Sequence, residues 1–267
     1  MDAAERRRRE YLEAMGIQVW QSRYAPAGVE LPEPVTEVTS ALDRNERERI
    51  PANESSDGLV SAAAGASSER QILPIAAPNP IAACGWDELA ARVAGCTACP
   101  LHAGRTQTVF GVGDRTARWM IIGEAPGEQE DLQGEPFVGR AGLLLNEMLR
   151  AVGLQREQVY IANVLKCRPP KNRDPQAEEA AACEDYLKRQ LALVHPDIIL
   201  AVGRIAAQNL LKTATPIGKL RGAVHDYQGV PLVVTYHPAY LLRSPLEKRR
   251  AWDDLKLARA IFRRRQP

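Results

Sequence analysis

Four short and nearly unbroken apolar runs, Trp119–Ile122, Val159–Val164, Ile198–Val202 and Leu232–Val234, are spaced along the last two-thirds of the chain. A strand with one wet face alternates apolar and polar positions, so unbroken runs predict strands covered on both faces. Between them the apolar period lengthens to that of a helix. Asp87 can cap a helix running to about Ala94. Further helices are predicted over about Ala141–Val152, Gln176–Val194, Ile205–Leu211 and Leu246–Arg263. Strands alternating with helices predict an α/β fold: a three-layer α/β/α sandwich around a mostly parallel sheet of about four strands. Ligands of such sheets bind outside the carboxyl ends of the strands, so the residues just after each run are the candidates for chemistry.

The first third reads differently. Residues 4–20 predict a short helix with Tyr11, Leu12, Met15 and Val19 on one face and Trp20 at its end. From Pro26 to Pro80 the chain is rich in Pro, Ala, Ser, Glu and Gly, and no buried period is sustained. The expected organisation is therefore an N-terminal helix within 1–25, a disordered, flexible linker over 26–84, and a folded domain over 85–267. The helix fits two roles, a docking peptide for a partner protein or a segment lying against the domain.

With 45% hydrophobic and 25% charged residues the composition is that of a soluble globular protein. No apolar run approaches the ~20 residues that span a bilayer. Arg6 to Arg9 are followed by no apolar segment, unlike a secretory signal. A cytoplasmic protein without membrane contact is expected, in which cysteines more often serve metal or catalysis than disulfides. The net charge of +2 divides into −4 over residues 1–84 and +6 over 85–267, which is compatible with a polyanionic partner.

Of five cysteines, four form a pattern: Cys96 and Cys99 in a C-x-x-C pair followed by Pro100, then Cys167, then Cys183. Four thiolates suit either zinc or a [4Fe–4S] cluster. Zinc sites more often use two close pairs, whereas Cys167 and Cys183 stand sixteen positions apart, and the spacing therefore favours the cluster. Cys84 falls in the linker region and joins no motif.

The strand ends carry the remaining chemistry. After the first run, Gly123-Glu124-Ala125-Pro126-Gly127 demands a tight turn and sets Glu124 at the lip of the sheet. No Gly-Lys-Ser/Thr follows, so the turn is not a phosphate-binding P-loop. Gly134 to Arg140 presents Phe137 between Pro136 and Val138 ahead of a helix. Asn163 ends the second run and offers both an acceptor and a donor to a ligand edge. Lys166-Cys167-Arg168-Pro169-Pro170 and Asn172 come next. The fourth run leads into Tyr236-His237-Pro238-Ala239-Tyr240-Leu241-Leu242-Arg243. A lone histidine is usually structural, but His237 shares a sheet edge with Glu124 and Asn163.

Together these segments and all four cysteines resemble family 4 of the uracil-DNA glycosylases, from about residue 86 to the C-terminus. The resemblance implies the same sandwich fold and a [4Fe–4S] cluster on Cys96, Cys99, Cys167 and Cys183. It implies an enzyme that flips uracil out of DNA and hydrolyses its N-glycosidic bond, a step of base excision repair. Phe137 would stack on the flipped base, Asn163 would read its O4/N3 edge, and the backbone at Ala125 would add a hydrogen bond. His237 would donate to uracil O2 as charge develops there. Glu124 would position water and stabilise the cationic sugar, with Asn172 assisting. Leu241 or Leu242 would fill the gap in the duplex, Arg243 would grip phosphate, and Glu130 would crowd the C5 position against thymine. Some relatives capture uracil covalently through a histidine in a basic insertion; the stretch from Arg173 to Gln176 has none, which implies turnover. A monomer is expected. Two other readings compete: a non-catalytic DNA-binding accessory module of the same fold, and an iron–sulfur redox protein.

Overall fold

The structure is a computed structural model that describes residues 10–16 and 81–265. The four apolar runs become β2 (Trp119–Gly123), β3 (Tyr160–Asn163), β4 (Ile198–Val202) and β6 (Val230–Thr235). They pair in parallel, β3 to β2, β2 to β4 and β4 to β6. Two antiparallel edges complete the sheet, β1 (Val112–Gly113) beside β3 and β5 (Val224–Tyr227) beside β6. The sheet therefore has six strands, in the order β1-β3-β2-β4-β6-β5, rather than about four. Both added strands are short and partly wet, so neither leaves an apolar run. β5 joins β6 through Gln228 and Gly229, both at positive φ, as a two-residue primed turn requires.

Side chains alternate across the sheet. Met120, Ile122, Ile199 and Ala201 face α4 (Ala177–Val194) and α5 (Arg204–Leu211). Trp119, Ile121, Leu200 and Val202 face α3 (Arg140–Ala151) and α8 (Lys248–Arg264). Each aliphatic side chain buried in these layers contributes on the order of 1.5–3 kcal/mol. The expected α/β/α sandwich is thus observed. The chain runs from β2 to β3 on one side and returns to β4 on the other. Such a reversal opens a crevice at the carboxyl ends of β2 and β4. Short helices crown that edge: α2 (Glu128–Gln133), α6 (Ile217–Leu220) and α7 (Pro238–Arg243).

The domain begins earlier than residue 85. Residues 81–83 form a turn, and Cys84 is buried with Leu89, Val93 and Tyr186, between α1 (Trp86–Ala94) and α4. Arg189 Nε donates to the Cys84 carbonyl at 2.6 Å. Cys84 therefore belongs to a small core and not to a linker. In the leader, residues 10–14 are helical and lie on α8. Tyr11 sits 5.7 Å from the Trp252 ring, Met15 is buried, and Lys248 Nζ donates to Met15 O at 2.8 Å. The rest of the predicted 4–20 helix and the linker up to residue 80 lie outside the described residues. Among those described, no helix is long and apolar enough to cross a membrane.

Candidate active site

A pocket of about 730 Å³ opens at the reversal point, lined among others by Glu124, Phe137, Asn163, Arg204 and His237. Asn163, which lines it, pairs in register with Gly123 at the strand ends. A Cβ on Gly123 would stand 2.4 Å from Asn163 Oδ1 and 2.7 Å from the Phe137 ring. Only glycine lets the carboxamide and the aromatic ring close over the strand end. Asn163 is buried, and its Oδ1 has no hydrogen-bond partner within the protein. A buried acceptor without a donor costs ~1–3 kcal/mol, which a ligand N–H would recover.

Phe137 is held in a left-handed conformation, φ 55°, rare for a bulky residue and a mark of local strain. Three groups over-determine it. Arg156 donates to Pro136 O at 2.6 Å and to Phe137 O at 3.3 Å. Glu130 ties the loop by accepting from Val138 N and Gly139 N, and its other oxygen accepts from Gly127 N. Gly142 supplies clearance, since a Cβ there would fall 1.7 Å from Phe137 O. Sequence reading missed Arg156 and Gly142 because neither sits in a strand-end motif. It also gave Glu130 a different task; its carboxylate is committed to three backbone amides.

His237 is the N-cap of α7: its Nδ1 accepts from Ala239 N at 3.1 Å, with Pro238 at the first helical position. An accepting Nδ1 assigns the ring proton to Nε2, leaving that N–H for a ligand. Burial first, and the Arg243 charge second, bring the ring down to about 4, so it is neutral near pH 7. Gly203, at φ 100°, brings the start of α5 against it, where a Cβ would stand 3.3 Å from His237 Cδ2. Phe137 and His237 lie 5.6 Å apart with rings 28° from parallel.

Glu124 faces the same pocket. Burial, then the Asp174 carboxylate, push its carboxyl up to about 7, while Arg204 opposes the rise. Arg204 and Asp174 themselves pair at 2.5 Å. Ala125 and Asn172 also line the pocket. Asn172 adopts φ 55°, and its Oδ1 accepts from Arg168 Nε at 2.8 Å, so its carboxamide is partly committed. Along the rim, Leu241 is 1% exposed and packs in the core, which rules it out as a group entering DNA. Leu242 is 37% exposed and Arg243 follows it on the surface. Sequence alone left that choice open because the phase of α7 depends on where His237 starts it.

Residues 110–256 match the model of the uracil DNA glycosylase superfamily. The chain belongs to this superfamily. It is 44% identical over 189 residues to a type-4 uracil-DNA glycosylase of Archaeoglobus fulgidus, covering 68% of this chain and 95% of that one. A type-4 uracil-DNA glycosylase of Thermotoga maritima is 46% identical over 177 residues, or 65% and 92% of the two chains. One from Sulfurisphaera tokodaii is 41% identical over 184 residues, or 66% and 84%. The resemblance to family 4 read from the motifs is thereby shown.

In this superfamily member the four patterned cysteines gather on one side of the strand edge. The Cys96–Cys99 loop follows α1, Cys167 follows β3, and Cys183 lies on α4. Burial pushes Cys183 up to about 11, opposed by Lys166, with Cys167 and Cys99 adding to the rise; burial also raises Cys167, opposed by Arg105, with Cys99 and Cys96 adding. Arg105 Nη1 donates to Cys167 Sγ at 3.2 Å and to Cys96 O at 2.8 Å, and Nη2 to Ala94 O. One guanidinium thus joins the C-x-x-C loop to the end of β3. No three His, Cys, Asp or Glu side chains among the described residues surround a point that a single metal ion would occupy. Four thiols, two of them from one C-x-x-C loop, are a donor set that either zinc or an iron–sulfur cluster takes.

Proposed function

We propose that the chain is a uracil-DNA glycosylase that turns over as a cytoplasmic monomer, flipping uracil into the pocket and hydrolysing its N-glycosidic bond. The observation that carries this reading is the orphaned Asn163 Oδ1 in the same pocket as a neutral His237 with an available N–H. Uracil presents a donor at N3 and acceptors at O4 and O2, which match the Asn163 carboxamide and His237 Nε2–H. Flipping costs a few kcal/mol, which stacking on Phe137 offsets. As the bond from C1′ to N1 breaks, its electron pair spreads onto O2, where the His237 donor is worth ~10²–10³ in rate. Glu124, ionised, faces the positive charge on the sugar and orients the water whose oxygen bonds to C1′. Ala125 and Asn172 complete the pocket wall. Leu242 fills the space left in the duplex and Arg243 binds phosphate.

Purified protein should release free uracil from a single-uracil oligonucleotide without added metal or nucleotide, leaving a site that alkali cleaves. Tight binding of that DNA with no released uracil would favour a non-catalytic accessory module instead.

Cys96, Cys99, Cys167 and Cys183 would hold a [4Fe–4S] cluster. When bound it would supply no chemistry to the sugar, and its ligands would tie the Cys96–Cys99 loop, the end of β3 and α4 together. Protein purified without air should be brown, with about four irons per chain. Cys167→Ser should lose the colour and lower the melting temperature, as measured by absorbance and calorimetry. A colourless, stable wild-type protein carrying stoichiometric zinc would overturn the assignment.

A further inference from the structure

Lys166 is a buried charged residue to which the proposed reaction gives no role. It is 1% exposed and lies three residues past Asn163, with the Cys183 and Cys167 thiols within electrostatic reach of its ammonium. Its Nζ donates to Asn163 O at 2.8 Å and to Gln190 Oε1 at 2.7 Å. Gln190, itself fully buried on α4, donates through Nε2 to Phe110 O at 2.8 Å and to Tyr160 OH at 3.0 Å. Lys166 O in turn accepts from Val109 N. A long cationic side chain is rarely fully buried unless it is paired, because desolvating it is costly. Here that cost is offset in part by a network of acceptors that includes the carbonyl of the base-reading residue, and in part by the nearby Cys183 and Cys167 sulfurs.

The geometry of that carbonyl explains the need. Val164 N and Leu165 N still bond back to Gly123 O and Glu124 O across the parallel pair. Asn163 O, on the same backbone, accepts from Lys166 Nζ, which closes a short loop from the strand end to its own fourth residue. The Asn163 side chain has no such tie, since its Oδ1 accepts from nothing in the protein. Its aim into the pocket depends on its backbone and on the close approach of Gly123, where a Cβ would stand 2.4 Å from Oδ1. Site residues need support that holds them within about half an ångström of productive geometry. We propose that Lys166, relayed through Gln190, is a positioning residue that fixes the Asn163 backbone and so sets recognition of the uracil edge. The inference rests on the assignment of uracil to this pocket.

The test uses the full-length protein and two duplexes. One carries 2′-fluoro-2′-deoxyuridine, whose glycosidic bond resists hydrolysis; the other carries a tetrahydrofuran abasic analogue at the same position. The main variant is Lys166→Met combined with Gln190→Leu, because removing both partners avoids stranding either one in the interior. The double variant should bind the fluorouridine duplex about tenfold more weakly and the abasic duplex as wild type does. Lys166→Gln, which keeps an N–H donor, should recover binding to within about threefold. Equal affinity for both duplexes in wild type and double variant would overturn the proposal. So would an equal loss on both, which marks a general folding role. Should the double variant fail to fold, Gln190→Leu decides. A loss of about threefold confined to the fluorouridine duplex supports the relay, and no loss or an equal loss refutes it. Failure of wild type to release uracil would count against the proposed function itself, and is read separately.

Discussion

His237→Ala is expected to slow single-turnover uracil release by about two to three orders of magnitude while leaving affinity for uracil-DNA nearly unchanged. The imidazole is neutral and its proton sits on Nε2, because Nδ1 is occupied by Ala239 N and burial holds the ring down to about 4. A neutral donor interacts weakly with ground-state O2 and strongly once the departing base carries charge, so its removal is felt in the transition state. Phe137→Ala should behave differently. It removes ~1–3 kcal/mol of stacking, so capture and rate fall together. Arg243→Ala should weaken binding to any DNA and flatten its salt dependence, since phosphate contacts carry no base information. Each variant is compared only after its absorbance matches wild type. Wild-type cleavage with poor binding in His237→Ala would remove His237 from the charge-stabilising role.

What the chain declared in advance follows from burial. Trp119–Ile122 and Ile198–Val202 are covered on both faces, so their apolar runs mark strands almost to the residue. β5 declares nothing, because three of its four side chains are partly or fully wet and its turn uses Gln228 where asparagine is the usual signal. Glu124, Asn163 and His237 were legible because a parallel sheet sends every strand end to one edge. Their environments were not. That Asn163 Oδ1 lacks a partner, or that Arg156 clamps the Phe137 loop from 19 positions away, depends on contacts that no local pattern encodes. The His237–Pro238 pair did carry an unused signal: proline at the first turn places the preceding residue as a cap. Counting from that cap would have put Leu241 inside and Leu242 outside.

The pH dependence should isolate Glu124. Its carboxyl is pushed up to about 7 by burial and by Asp174, with Arg204 opposing. On the proposed mechanism only the ionised form would stabilise the sugar cation, so single-turnover release should rise with pH through about 7 and level off above it. One unit below the midpoint the ionised fraction is about a tenth, and the rate should fall about tenfold. His237 contributes nothing to this limb, because it remains neutral until the pH nears about 4. Glu124→Gln should lower the plateau by about two orders of magnitude and abolish the rise, since the amide has no charge to gain. Asp174→Asn removes the repelling neighbour and should move the midpoint toward lower pH. Arg204→Gln removes the attracting one and should move it higher, with DNA held at saturation so that weakened binding does not enter. Opposite movements in these two variants would tie the limb to the Glu124 environment. If Glu124→Gln instead keeps the wild-type midpoint at a reduced plateau, the titrating group lies elsewhere and Glu124 acts by orienting water alone.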